Sequence, residues 1–331
     1  MNNTVVKILT AYQDKAVFYR QIGIMLGSGI SLSSALRQVQ SNSNFKTIIN
    51  ILVTGVEQGE PLSNAMSKIE GVFTRMEIVS VSAGEKSGTL AETAERLANY
   101  FEILQNVKNK LIAGMIYPAI LLHAAIIIPA IPLLFTKSVA AFLMRILPMF
   151  ILIYGAGFGI FFVKKLLSKP EMIETRDAFI LKLPLGLGKL FTKMAVIKFL
   201  QSFTCLYGAG VPVIESVKIA AECSGNKIIE TELLKAVPRI HHGSNLSSAF
   251  AGNAYIPHIV IDMFSTGELS GRLDESLEKA IWHLQQEVNL AVEAILKLVP
   301  VVVYIIIAVY VAFIVISFYA GYLSQINSLI E

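Results

Sequence analysis

Cysteine is nearly absent: the 331 residues hold only Cys205 and Cys223. Neither has metal-ligand spacing, and both are read as small core residues. The five histidines, His123, His241, His242, His258 and His283, form no His-Glu-x-x-His or comparable metal pattern. No Ser-His-Asp, Cys-His or paired-carboxylate arrangement is commended by spacing, and no strand signal is strong enough to argue. The chain therefore reads as non-enzymatic, with no catalytic, cofactor-binding or metal residues to assign. What it lacks most is charge in three places: no Asp, Glu, Lys or Arg occurs in Leu111–Thr136, in Ile146–Val163 or in Leu298–Ile330. With a mean hydropathy of +0.62, that pattern excludes an ordinary soluble domain and leaves a membrane protein with substantial water-soluble parts.

A bilayer core needs roughly 20 apolar residues as helix, so each run is long enough for one transmembrane helix. The expected spans are 111–136, 146–166 and 298–323, with Arg145 snorkelling at the mouth of the second. The N-terminus, MNNTVVKILTAYQDK, has no sustained apolar stretch before a cleavage site, so no secretory signal is expected. Basic residues set the orientation. Lys108 and Lys110 precede the first span, Lys164, Lys165 and Lys169 follow the second, and Lys297 precedes the third. The loop 137–145 carries only Lys137 and Arg145. This places the N-terminus and the 167–297 segment in the cytoplasm and the tail 324–331 outside. Lys164–Lys198 carries eight basic residues against Glu171, Glu174 and Asp177, which suits an anionic leaflet. The formal net charge of +4 is thereby assigned to the membrane surface and not to nucleic acid.

The most informative positive feature is an internal repeat, in which 18–118 overlays 199–300 at an offset of about 180 residues. Phe18–Leu32 answers to Phe199–Val213, placing Gly27 and Gly29 on Gly208 and Gly210. Gly59–Ala65 answers to Gly243–Ala249. Gly84-Glu85-Lys86-Ser87-Gly88-Thr89-Leu90 answers to Gly267-Glu268-Leu269-Ser270-Gly271-Arg272-Leu273, and Tyr117-Pro118 answers to Val299-Pro300. Two crossings separate the copies, so both lie on one side in parallel orientation, unlike the inverted repeats of many transporters.

Each copy reads as about six short helices. Leu90, Ala94, Leu97, Phe101, Leu104 and Leu111 recur at helical spacing in copy one; Leu273, Leu277, Ile281, Leu284, Val288, Ala291 and Ile295 do so in copy two. Gly27-Ser28-Gly29 and Gly208-Ala209-Gly210 break a preceding helix. Gly88, Thr89 and Glu92 suggest a capping box. The Gly84–Gly88 block fails as a phosphate loop, because copy two puts Leu269 where Lys86 stands, and it reads as a helix-to-helix turn. Glu85 and Glu268 are expected to accept backbone N–H bonds at the next helix start, with contact to a partner or cation as the other reading. Gly186–Lys189 reads as a juxtamembrane turn. His123, inside span one, is expected to be neutral and hydrogen-bonded to a neighbouring helix, with a proton route as the other reading. Pro118, Pro129 and Pro132 suggest bending of that span. Gly155, Gly157 and Gly159 offer a close-packing face and, with the two-copy design, suggest self-association.

These duplicated blocks resemble the GspF/PilC family, the inner-membrane platform proteins of type II secretion systems and type IV pilus machines, over residues 16–320. The resemblance rests on the Gly27–Gly29 and Gly208–Gly210 turns, on the blocks 84–90 and 267–273, and on three spans in the order found here. It implies an all-α membrane protein with two homologous cytoplasmic six-helix bundles in tandem, at 16–110 and about 198–297, after a segment 1–15. Little precedes Phe18, whereas many members have a further cytoplasmic segment; that shorter form resembles the type IVb and thin-pilus branch and favours pilus assembly over secretion. The implied setting is the bacterial inner membrane, with a periplasmic C-terminus. The implied partners are a hexameric assembly ATPase, pilin or pseudopilin subunits, other inner-membrane assembly proteins and further copies of the chain. Partner-binding or structural roles then fall to Gly27, Gly29, Gly84, Glu85, Gly88, Leu90, Gly208, Gly210, Gly267, Glu268, Gly271 and Leu273, and span packing to Pro118, Gly155, Gly159 and Pro300.

Overall fold

The computed structural model describes residues 12–42, 46–136, 138–166, 172–184 and 186–330, and every regular element among them is a helix. Most of the segment 1–15, Lys137, Lys169, Glu171 and Glu331 lie outside the described residues. Copy one supplies α1 (Tyr12–Gly27), α2 (Leu32–Asn42), α3 (Lys46–Glu57), α4 (Leu62–Ser67), α5 (Arg75–Ser87) and α6 (Leu90–Ile127). A 3₁₀ turn at Ile128–Ala130, α7 (Pro132–Thr136) and α8 (Val139–Leu166) follow. Residues expected as the loop 137–145 are thus helical from Val139 onward. Pro118 lies within α6 without ending it, whereas Pro129 and Pro132 sit where the helix gives way to the 3₁₀ turn and restarts.

The chain then builds α9 (Ile173–Leu181), α10 (Leu187–Gly208), α11 (Val213–Cys223), α12 (Lys227–Leu234), α13 (Ala236–His241), α14 (Leu246–Phe250), α15 (His258–Ser270) and α16 (Leu273–Ile330). Copy one has the six helices expected. Copy two has one more, because the counterpart of α3 is divided into α12 and α13. Pro238 has no N–H to return to the carbonyl of Leu234, so α12 stops there.

Two compact units result. The first comprises the described residues up to Lys108 together with Ile173–Asn289, so residues of both copies fall in one unit. Its core uses the helical stripes read from the sequence: Ala94, Leu97, Phe101 and Leu104 on α6 are buried, as are Leu277, Leu284 and Val288 on α16. The second unit comprises Asn109–Met172 and the chain from Leu290 onward. Among the described residues, the helical run Leu90–Phe135 is long and apolar enough to cross a membrane, and Val139–Leu152 is a shorter apolar helix. Ile116, Ile120, Ile151, Leu152 and Phe158 leave this second unit's surface apolar.

Candidate functional site

The repeated blocks, distant in sequence, meet in space. In copy one Glu85 occupies the last turn of α5, and its carboxylate accepts the backbone N–H of Leu62 (2.5 Å), that of Ser63 (3.2 Å) and the Ser63 hydroxyl (2.7 Å). In copy two Glu268 accepts the backbone N–H of Leu246, that of Ser247 (3.2 Å) and the Ser247 hydroxyl (2.7 Å). Each acid therefore holds the start of the short helix that precedes it, α4 or α14, and not the start of the next helix. The reason is geometric: Glu85 and Glu268 lie inside α5 and α15, flanking α4 and α14, while the next helix begins beyond a tight turn. Carboxylates at helix starts satisfy N–H groups that no carbonyl can reach. With three charge-assisted bonds each, both acids are committed to the fold.

The tight turn uses a glycine at the same place in both copies. Gly88 (φ 74°) and Gly271 (φ 68°) end α5 and α15 in the left-handed conformation, which costs glycine nothing sterically. Gly84 and Gly267 serve another purpose. A methyl on Gly84 would lie 2.5 Å from Thr93 Oγ1, and one on Gly267 would lie 2.8 Å from Leu273 Cα. These glycines let α6 and α16 cross closely over α5 and α15, Leu90 and Leu273 being the first residues of the crossing helices. Among the described residues the Thr89 hydroxyl, expected to open a capping box with Glu92, meets Ser87 Oγ at 2.7 Å. A complete box stands one helix earlier, between Thr74 and Glu77. Gly29 and Gly210 make the turns after α1 and α10. Gly27 has nothing within 4 Å of an added methyl, whereas at Gly208 a methyl would meet the Arg96 guanidinium at 2.5 Å.

That contact belongs to the junction of the two copies. Arg96 of copy one pairs with Asp274 of copy two at 3.2 Å, and Arg75 pairs with Glu222 at 2.7 Å. Beside Arg96 lies a cleft of about 320 Å³, lined on copy one by Asn99, Tyr100 and Asn106 and on copy two by Gln201, Trp282 and Gln285. Burial pushes the Cys205 thiol at this junction up to about 12, and burial pushes Cys223 up to about 11, so neither is a ready nucleophile. Lys198 is held below its ordinary value by burial. Among the described residues no three His, Cys, Asp or Glu side chains converge on a possible metal position.

In the second unit, His123 Nδ1 lies 2.7 Å from the Ala119 carbonyl and Nε2 lies 2.7 Å from the Tyr154 hydroxyl. A carbonyl only accepts, so Nδ1 carries a proton and donates to Ala119, while Nε2 meets the Tyr154 hydroxyl and so joins α6 to α8. Gly155 and Gly159 have nothing within 4 Å of an added methyl. Close approach occurs at Gly114 instead, where a methyl would lie 2.2 Å from the Leu296 side chain, and Tyr117 and Tyr304 hydroxyls stand 3.3 Å apart one turn on. Pro118 and Pro300 both lie inside unbroken helices. Gly114 had one available signal, as a glycine at the start of the first charge-free run.

A duplicated helical unit with capped turns, continued by long apolar helices, defines a class of helical proteins with membrane-compatible segments. The family model described as "Type II secretion system (T2SS), protein F" matches residues 18–136 and 199–321, and the chain belongs to that family, the GspF/PilC inner-membrane platform proteins of type II secretion and type IV pilus systems. Similar proteins include the type IV pilus assembly protein TapC of Aeromonas hydrophila, 27% identical over 92% of this chain and 80% of its own length. The type IV pilus assembly protein PilC of Thermus thermophilus is 29% identical over 92% of this chain and 80% of its own length. The type II secretion system protein F of Vibrio cholerae is 29% identical over 81% of this chain and 71% of its own length.

Proposed function

We propose that this chain is the non-enzymatic inner-membrane platform of a type IV pilus assembly machine. The observation that carries the reading is the duplication itself: both halves match one platform-protein family, and the last helix of each copy, α6 or α16, continues into an apolar run. Spans at 111–136, 146–166 and 298–323 hold the protein in the membrane, with the N-terminus cytoplasmic and the C-terminus periplasmic. The cytoplasmic copies receive a hexameric assembly ATPase, and the spans help lift pilin subunits into the fibre. The absence of a nucleotide motif from the sequence fits a protein that is moved and does not itself turn over nucleotide.

A tagged full-length chain, recovered from membranes of a strain with its neighbouring genes intact, tests the reading. Recovery of a hexameric ATPase with prepilin-like subunits is expected; recovery of a substrate-binding or channel subunit in their place overturns it. The second reading, a type II secretion platform, is favoured by the similarity to protein F of Vibrio cholerae. Loss of surface fibres on deletion of the gene supports pilus assembly, and loss of a secreted protein with fibres intact supports secretion.

A further inference from the structure

The helix that follows the second apolar run has two differently furnished sides. On one side Asp177, 2% exposed, accepts the backbone N–H of Lys227 at 2.7 Å and pairs with Arg176 at 2.8 Å. Its carbonyl accepts Asn226 Nδ2 at 3.2 Å, so α9 is pinned to the start of α12. Two residues on, roughly 200° round the helix, Phe179 is 66% exposed. The turn into α10 is drawn tight at Gly188, where a methyl would meet the Leu181 carbonyl oxygen at 2.1 Å. Lys182, Lys189 and Phe191 around this turn are exposed as well. The exposed acid of this helix, Glu174, lies three residues before Asp177 and so on its side of the helix. Phe179 on α9, Lys182 in the turn, and Lys189 and Phe191 at the start of α10 thus stand exposed, although α9 is otherwise tied down.

We propose that Phe179, Phe191, Lys182 and Lys189 form an interfacial anchor that lies on the anionic lipid surface of the cytoplasmic leaflet. The proposal rests on the reading of 146–166 as a membrane span. Ile173 follows Leu166 by seven residues, a reach of at most roughly 25 Å, so this element is tethered close to the leaflet. Exposed phenylalanines flanked by lysines match that surface in kind: the rings enter the headgroup boundary and the ammonium groups meet lipid phosphate. The anchor would hold the start of copy two against the membrane while the opposite side of α9 grips α12.

The full chain is placed in nanodiscs of phosphatidylcholine alone or with phosphatidylglycerol, carrying an environment-sensitive fluorophore on Phe179→Cys. The native thiols, Cys205 buried and Cys223 half-buried, are both pushed up by burial and react poorly at neutral pH. A label on Leu269→Cys, a position 87% exposed, is the water-exposed control. Spin-labelled lipid is expected to quench the label at 179 in phosphatidylglycerol discs and not the label at 269. Each of Lys182→Glu and Lys189→Glu is expected to weaken that association about fivefold or more. Phe191→Cys gives an independent position should labelling at 179 disturb the helix. Equal water exposure at 179, 191 and 269 in both lipids overturns the anchor. Shielding of 179 from a water-soluble quencher without lipid quenching assigns the surface to a protein and also overturns it. Failure of the underlying span reading shows separately, as release of the wild-type chain from native membranes by alkaline carbonate.

Discussion

In copy one Lys15 and Glu77 form a buried ion pair at 2.6 Å, with side chains 5% and 0% exposed. Tyr19 donates to Glu77 at 2.9 Å, and Thr74 adds its backbone N–H and hydroxyl at 2.8 Å each. The Lys15 ammonium also stands 5.0 Å from the centre of the Phe101 ring. In copy two the positions that match Lys15, Tyr19, Thr74 and Glu77 are Val196, Leu200, Pro257 and Val260, and all but Pro257 are fully buried. One backbone pattern thus accepts an ionic core or an apolar one. The ionic version is satisfied by extra bonds at every oxygen of Glu77, which is the condition under which a buried pair is tolerated. Copy one is therefore the more fragile half: removal of one partner strands a charge, whereas copy two has no such charge to strand.

The largest effect expected from this contrast follows Glu77→Val, which leaves Lys15 charged and unpaired and should cost about 3–5 kcal/mol. Rewriting copy one in the chemistry of copy two, as Lys15→Val, Tyr19→Leu, Thr74→Pro and Glu77→Val together, should recover most of that loss in thermal unfolding. A quadruple variant no more stable than the single one would break the equivalence of the two cores. The acids at the repeated turns should behave alike in both halves. Glu85→Ala and Glu268→Ala each free two backbone N–H groups and should each cost about 1–3 kcal/mol. Unchanged stability with loss of ATPase association would instead make them partner contacts.

Smaller differences sharpen the comparison. Gly267→Ala drives a methyl toward backbone at Leu273 and Gly84→Ala toward a side chain at Thr93, so the copy-two change should cost more, about 1–3 kcal/mol of overpacking. Equal losses would show that α16 yields as easily as a threonine. The smallest effect is on pH dependence. Thiols ionise near 9.0 when unfolded, while burial pushes Cys223 up to about 11 and Cys205 up to about 12. Their raised values stabilise the fold below pH 9, and that contribution is lost as pH climbs from 9 through 12. Copy one has no thiol, but burial also raises the hydroxyls of the buried Tyr19 and the half-buried Tyr100, so its loss begins later, above 10. Lys198, lowered by burial, acts in the opposite direction in every variant that keeps it. Cys205→Ala with Cys223→Ala should therefore delay the alkaline fall in melting temperature by about one pH unit relative to wild type.

Much of this was legible in the sequence because it depends on local pattern. Helical spacing identified the buried stripes of α6 and α16, and paired glycines located the turns at Gly29, Gly88, Gly210 and Gly271. The direction in which Glu85 and Glu268 cap is not legible locally, because a side chain in the last turn of a helix has helix starts both before and after it within reach. Thr74–Glu77 and Thr89–Glu92 both satisfy the same short motif, so the motif alone does not tell which of them closes a box. Lys15 ends the expected segment 1–15, and its partner Glu77 is 62 residues away, a separation that no periodicity can bridge. Arg96 and Asp274 are 178 residues apart and meet only because the copies share one unit.

The sequence by itself determined that the chain is helical, duplicated and interrupted by long uncharged runs, because burial periodicity, glycine turns and the exclusion of charge from lipid act over a few residues at a time. Tertiary structure alone decided which glycines bring helices together, which carboxylates cap which helices, and where the two copies touch. Those choices depend on the packing of side chains from distant segments, in which a methyl group or a single unpaired charge is enough to change the outcome.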